Sequence, residues 1–142
     1  MKIDKIYVLA INHTQEKVND IKDKLDQAGF EANTPFTILR GHNAYTDPTP
    51  EHVTVYEKWG ISESWNKFWQ MPVQIGEVGC TLSHINAWKT IVDEGVERAL
   101  ILEEDFNPVK GKLIKNLPEP DNKWPFNASF GNSCFGIKPY FF

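Results

Sequence analysis

The sequence predicts an α/β domain, a mostly parallel sheet flanked by helices. Three observations lead there. The apolar, branched run Ile6-Tyr7-Val8-Leu9-Ala10-Ile11 stops on polar Asn12-His13-Thr14, as a buried central strand does when it delivers its end to a site. A helix-period stretch and a second apolar run follow within about 35 residues, the span of one βαβ unit. Farther on, a long amphipathic stretch leads into Arg98-Ala99-Leu100-Ile101-Leu102, which ends on Glu103-Glu104-Asp105.

The elements follow in order. Lys5 to Ile11 is the first strand. Thr14 suits a helix N-cap, with Lys17 rather than an acid three positions on, so no capping box forms. Val18, Ile21, Leu25 and Ala28 fall at helical spacing, and Gly29 supplies the stop. Phe36 to Arg40 reads as the second strand, ending at Gly41. Joined through the helix, the two strands make a right-handed unit by the usual connection rule.

From His42 to Gln74 the pattern blurs. Pro48 and Pro50 mark a loop, and Tyr56-Glu57-Lys58-Trp59 suits a short helix. Trp59, Trp65, Phe68 and Trp69 form either a small satellite core or a stacking platform for a sugar or base; the area they can bury favours the core. Glu77 to Glu94 is the strongest helix, with Val78, Leu82, Ile85, Trp88 and Val92 on one stripe and Gly95 as its end. Arg98 to Leu102 is then a third strand, expected beside the first in a parallel sheet. Lys110 to Leu117 suits a short helix or loop. The tail carries Pro118, Pro120, Pro125 and Pro139 and closes on Tyr140-Phe141-Phe142 without a period. The expected organisation is a core over 1–109 and a short C-terminal extension over 110–142.

With 142 residues, 41% hydrophobic and 24% charged, the chain can bury one core and is no disordered segment. A formal net charge of −4 leaves no footprint for nucleic acid or an anionic membrane. The run at Ile6–Ile11 is too short for a membrane span and wrongly flanked for a signal peptide. A soluble, cytoplasmic protein is therefore expected. Cys80 and Cys134 show no metal or redox spacing and read as thiols.

The acidic triplet is the main chemical signal. Carboxylates at the end of a buried strand cost several kcal/mol, in order-of-magnitude terms, unless solvent, donors or a cation compensate them. Strand alternation lets Glu103 and Asp105 share a side while Glu104 points the other way. Oxygen ligands past a strand of an open α/β sheet suit Mg²⁺ or Mn²⁺ and a phosphate-bearing ligand; the bland alternative is a solvated acidic turn. Cys80 and His84 share a helix face, but no second pair completes a zinc site, and His13, His42 and His52 fall on separate loops. Adjacent Ser83 and His84 do not face each other, which excludes a Ser–His nucleophile pair. His84 is either a core histidine bonded to a backbone carbonyl or a donor aimed at a phosphate. No G-x-G-x-x-G or G-K-[ST] occurs, so nothing in the sequence points to a dinucleotide or P-loop function. Asn12 and Gly41 close strands beside the acids, where turn chemistry alone would also place them.

Taken together, Gly76-Glu77-Val78-Gly79-Cys80-Thr81-Leu82-Ser83-His84, Trp88-Lys89 and Ala99 to Asp105, with the opening strand to Asn12 and the second strand to Gly41, resemble glycosyltransferase family 25. That family includes lipopolysaccharide-type galactosyltransferases and collagen-modifying homologues. The resemblance covers roughly residues 3 to 109. It implies a GT-A-like, Rossmann-type fold and transfer of a hexose from a nucleotide-sugar donor to a glycan or protein hydroxyl acceptor. It also implies a divalent cation, Mn²⁺ or Mg²⁺, held by Glu103 and Asp105. Asn12, Gly41, Ser83, His84, Glu103 and Glu104 fall at its donor-binding positions; no residue falls at that of a catalytic base.

Two departures stand out. His13 to Lys17 lacks the arginine usual after the family's first strand, and nothing after Pro108 matches clearly, so the chain reads as truncated at its C-terminal end. A catalytically silent nucleotide-sugar-binding or interaction domain is therefore the alternative expectation. An uncovered sheet edge, with self-association, would go with either.

Overall fold

The computed structural model of the protein describes residues 3–58, 72–108, 127–128 and 140–141. The expected strand–helix–strand opening is present as β1 (Lys5–Ala10), α1 (Gln15–Gln27) and β2 (Phe36–Arg40), followed by α2 (Ile75–Glu94) and β3 (Ala99–Glu103). Two short strands, β4 (Asn127–Ala128) and β5 (Tyr140–Phe141), complete a sheet of order β2-β1-β3-β5-β4. β1 lies parallel to both β2 and β3, with Val8 opposite Ile38 on one side and Leu102 on the other. This three-stranded parallel sheet with its flanking helices is the expected Rossmann-type arrangement.

Side-chain alternation sorts the core into two layers. Ile6, Val8, Leu100 and Leu102 face one way and pack with Ile21 and Leu25 of α1. Tyr7, Leu9, Ala99 and Ile101 face the other way and pack with Ala87 and Ile91 of α2. A strand covered on both faces has no polar side to show, which is why β1 and β3 read as continuous apolar runs.

The helix ends follow local chemistry. Thr14 Oγ1 accepts the Lys17 N–H at 3.2 Å, so the predicted cap of α1 is present. Glu77 reaches back to accept the Gln74 N–H at 2.7 Å, which starts α2 at Ile75, ahead of the expected Glu77. Gly95 ends α2 in the left-handed region at φ 65°, where a side chain would be strained. Glu94, unfavourable by itself at a helix C-terminus, is held by Lys5 Nζ at 2.8 Å and by the hydroxyl of fully buried Tyr7. Lys5, and then Tyr7, hold the Glu94 carboxyl below its usual range, while burial and Glu94 push the Tyr7 phenol far above its own.

Four expectations need correction. The buried stripe of α2 is Gly79, Ser83, Ala87 and Ile91 flanked by Leu82 and His84, whereas Val92 is 72% exposed. The hydropathy stripe is rotated because small and polar residues, not large apolar ones, sit where the helix comes closest to its neighbours. Tyr56 to Lys58 are not helical, and Lys58 forms an isolated antiparallel bridge with Pro72. β1 ends at Ala10 and β3 runs on to Glu103. The tail adds antiparallel pairing: β5 meets β3 at Leu100–Phe141, so that edge of β3 is not left open there.

The aromatic group Trp59, Trp65, Phe68 and Trp69, the segment Lys110 to Leu117 and Cys134 lie outside the described residues. Among those described, no helix is long and apolar enough to cross a membrane.

Leu100 is fully buried at the centre of the sheet, level with Ile6. Leu100→Ala should therefore cost about 2–5 kcal/mol of stability, read as a lower denaturant midpoint at unchanged slope.

Candidate active-site cleft

The chain leaves β2 on one side of β1 and returns through α2 to β3 on the other. The carboxyl ends of β1 and β3 therefore flank the point where strand order reverses, the position at which open α/β sheets bind ligands. A cavity of about 370 Å³ lies there. Its walls are Leu9 to Ile11 at the end of β1, Gly41 and Asn43 to Tyr45 after β2, Gly76, Cys80 and Ser83 on α2, and Glu103 to Asp105.

Each wall is held by specific contacts. Gly41 N–H donates to Ala10 O at 2.8 Å, and Glu104 N–H to Leu9 O at 2.9 Å, extending the ladder past both strand ends. The loop after β2 is pinned to α2 by the His42 N–H, which donates to Ser83 Oγ at 2.8 Å; that hydroxyl in turn donates to Gly79 O at 2.7 Å. Contact there is very close. A Cβ on Gly79 would lie 2.7 Å from the His42 carbonyl oxygen.

Within the loop, Arg40 Nη2 meets Asp47 Oδ1 at 2.9 Å and the Asn43 N–H donates to Asp47 Oδ2 at 3.0 Å. Asn43 Oδ1 accepts the Tyr45 N–H at 3.1 Å, an Asx turn. Arg40, and then the Asn43 N–H, hold the Asp47 carboxyl down at about 2. Tyr45, 75% exposed, is left standing at the wall of the cavity.

The three acids have three different environments. Glu103 faces α2, where its Oε1 lies 3.2 Å from His84 Nε2 and 3.7 Å from Cys80 Sγ. Glu104 faces α1: Lys17 Nζ meets its Oε2 at 2.7 Å, and Lys24 Nζ donates to its carbonyl at 3.1 Å. Glu104, through a hydrogen bond and its charge, raises the Lys17 pKa. Asp105, exposed in the turn beyond β3, makes no hydrogen bond or ion pair with a described residue. Glu103 and Glu104 thus take opposite sides as alternation predicts, but Asp105 lies past the strand end, where alternation no longer applies.

Of the residues singled out in the sequence, Gly41, Ser83, Glu103, Glu104 and Asp105 come together around the cavity. Asn12 is exposed on the loop after β1 and is not among the lining residues. His84 is 4% exposed and does not line the cavity either. Among its contacts is the Glu103 carboxylate, 3.2 Å from its Nε2.

Sequence reading missed Lys17. Its signal was a cation in the first turn of a helix, where the dipole disfavours it unless an acid is near. Asn43 and Tyr45 carried no signal of their own.

Among the described residues, no group of three or more His, Cys, Asp or Glu is placed to hold a metal by itself. The donor set nevertheless suits a hard cation that takes one or two carboxylates and completes its shell with water and phosphate oxygens. Asp105 and the Glu103 Oε2 make no bond to described residues, whereas Glu104 is taken by Lys17.

Comparison with known proteins decides the family. The family described as "Glycosyltransferase family 25 (LPS biosynthesis protein)" matches residues 3–122, most of the chain and every described element from β1 to β3. The chain belongs to glycosyltransferase family 25.

Among its relatives, a protein named "Glycosyltransferase 25 family member" from Aedes aegypti is 27% identical over 146 aligned positions, covering 87% of this chain and 23% of its own length. "Procollagen galactosyltransferase 1" of Danio rerio is 50% identical over 48 residues, 32% of this chain and 8% of that protein. "Procollagen galactosyltransferase 2" of Mus musculus is 38% identical over 53 residues, 35% of this chain and 8% of that protein. The chain spans less than a quarter of the length of each. Family membership agrees with the block order around α2 and β3, and the fold supplies the reason for that order: α2 and β3 build adjoining walls of one cleft.

Two measurements probe this construction. Gly79→Ala should destabilise by roughly 1–3 kcal/mol, since overpacking against backbone outweighs the helical gain from alanine. Gly76→Ala, with nothing within 4 Å of its added Cβ, should instead be neutral or stabilise by up to about 1 kcal/mol. Equal effects in thermal melts would refute the close approach.

For Asp47, a depressed folded-state value means a stabilising contribution complete above the unfolded value of 3.8 and lost as pH falls through about 2. Its carboxyl carbon should titrate by NMR near 2. Arg40→Ala should move that midpoint back toward 3.8.

Proposed function

We propose that the cleft binds a nucleotide-sugar donor and that the chain is a glycosyltransferase domain. It would move a hexose to a hydroxyl of a glycan or protein acceptor with a divalent cation's help. One observation carries the reading: the acidic turn within the family-matched region forms a wall of the cavity at the switch point of the sheet. In the reaction, the bond from the anomeric carbon to the donor diphosphate breaks and a bond to the acceptor oxygen forms. The hydroxyl proton passes to a general base.

Asp105 and Glu103 would hold the cation, Mn²⁺ or Mg²⁺, which when bound neutralises charge on the leaving nucleoside diphosphate. The protein's own residues divide the remaining work. His84 and Cys80 fix the Glu103 carboxylate, so its other oxygen has a defined direction. Lys17 and Lys24 hold the turn that carries Asp105. Gly41 and Ser83 line the cavity and admit the donor closely, and Leu9 to Ile11 and Ala44 supply apolar wall. His84 serves the donor through Glu103, and Asn12 lies one residue beyond the lining Ile11.

Calorimetric titration with UDP and with GDP, each with and without Mn²⁺, tests the reading. Binding that requires the cation is expected, and Asp105→Asn should abolish it while leaving the thermal melt unchanged. No binding by the folded chain would refute the donor site. Binding without turnover of any donor and acceptor would leave the silent nucleotide-sugar-binding domain as the correct reading.

A further inference from the structure

A second cavity, of about 260 Å³, adjoins the first. The segment after β2 alternates between them: Gly41 and Asn43 line the cleft, Arg40 and His42 line the second cavity, and Ser83 borders both. His52 joins from the following loop, and Asn86 and Lys89 from α2. We propose that this cavity is an anion subsite that takes a phosphate group.

The argument begins with charge. The chain has more acids than bases, 19 against 15, yet this wall gathers an arginine, a lysine and two histidines with no carboxylate among its described lining residues. Two permanent cations, Arg40 and Lys89, with imidazole donors between them are complementary to an anion. The side chains are also placed to donate. Arg40 is fixed through Nη2 by Asp47, which does not line the cavity, and its remaining N–H groups are available for a second acceptor. Lys89 is exposed and makes no ion pair with a described residue.

His42 is anchored by its backbone N–H on Ser83, while its Nε2, shielded from solvent, has no hydrogen-bond partner. A buried polar atom in that condition carries a desolvation cost that a ligand oxygen would offset. Phosphate oxygens match this set of guanidinium, ammonium, imidazole and amide donors. The volume suits a single phosphate or a phosphorylated monosaccharide rather than a nucleotide. The assignment rests on this cavity's chemistry and not on the donor reading of the cleft.

The test is an NMR titration of the full chain with sodium phosphate at constant ionic strength, observing the His42 and His52 imidazoles. Saturable shifts with a roughly millimolar Kd are expected. Lys89→Glu, and separately His52→Ala, should weaken binding, the former by at least about tenfold, with thermal melts and nucleotide binding in the cleft unchanged. Glucose 6-phosphate and glucose are the source arms. Tighter binding of the sugar phosphate than of inorganic phosphate identifies a phosphorylated glycan as the ligand, and equal binding identifies phosphate alone; glucose should not bind. Identical shifts with chloride, or undiminished binding in both variants, would overturn the proposal, even with nucleotide binding in the cleft intact.

Discussion

Three carboxylates at the end of a buried strand are the constraint around which this fold is arranged. Like charges one and two residues apart cannot share one dry environment, and the chain separates them. Glu103 turns to α2, where His84 and Cys80 receive it. Glu104 turns to α1, where Lys17 and Lys24 hold its carboxylate and carbonyl. Asp105 is left at the cleft. Both helices are thereby tied to the same turn, and compensating the acids also fixes the layers on either side of the sheet.

A second constraint is the approach of α2 to the loop after β2. Gly79 and Ser83 keep that face narrow enough for the His42 carbonyl and N–H to lie against it. The consequence reaches both cavities, because the segment pinned there presents alternate residues to each. The Arg40–Asp47 pair stiffens the same loop from its outer side. Its energetic value is small, as for most exposed ion pairs, but it places Arg40 and, through Asn43, the backbone of Tyr45.

The opposite end of the sheet shows different chemistry with the same logic. Tyr7 is buried on the α2 face, so its hydroxyl requires an acceptor, and Glu94 at the end of α2 is within reach. Lys5 satisfies the remaining charge. This network ties the end of α2 to the start of β1, while the acidic turn ties the start of β1's neighbouring helix to the end of β3. The sheet is held at both ends by polar contacts and between them by two apolar layers.

Much of this was legible beforehand. The strand runs, the Thr14 cap, the Gly95 stop and the acidic turn are local signals, set by periods of 2 and 3.6 and by residues with one favoured backbone role. They were enough for the α/β class and the parallel pairing; the family rested on the resemblance of the blocks Gly76 to His84 and Ala99 to Asp105. The short β4 and β5 carried no periodic signal, being two residues each.

What the sequence could not determine is which partner meets which charge. The pairing of Lys17 with Glu104, the contact of His84 with Glu103 and the bond from the His42 N–H to Ser83 are contacts between elements far apart along the chain. The buried face of α2 was misread for a related reason: hydropathy ranks Val92 above Gly79, but close approach to backbone selects for absence of a side chain. Local composition decided the elements; only the distances between packed elements decided the chemistry at their ends.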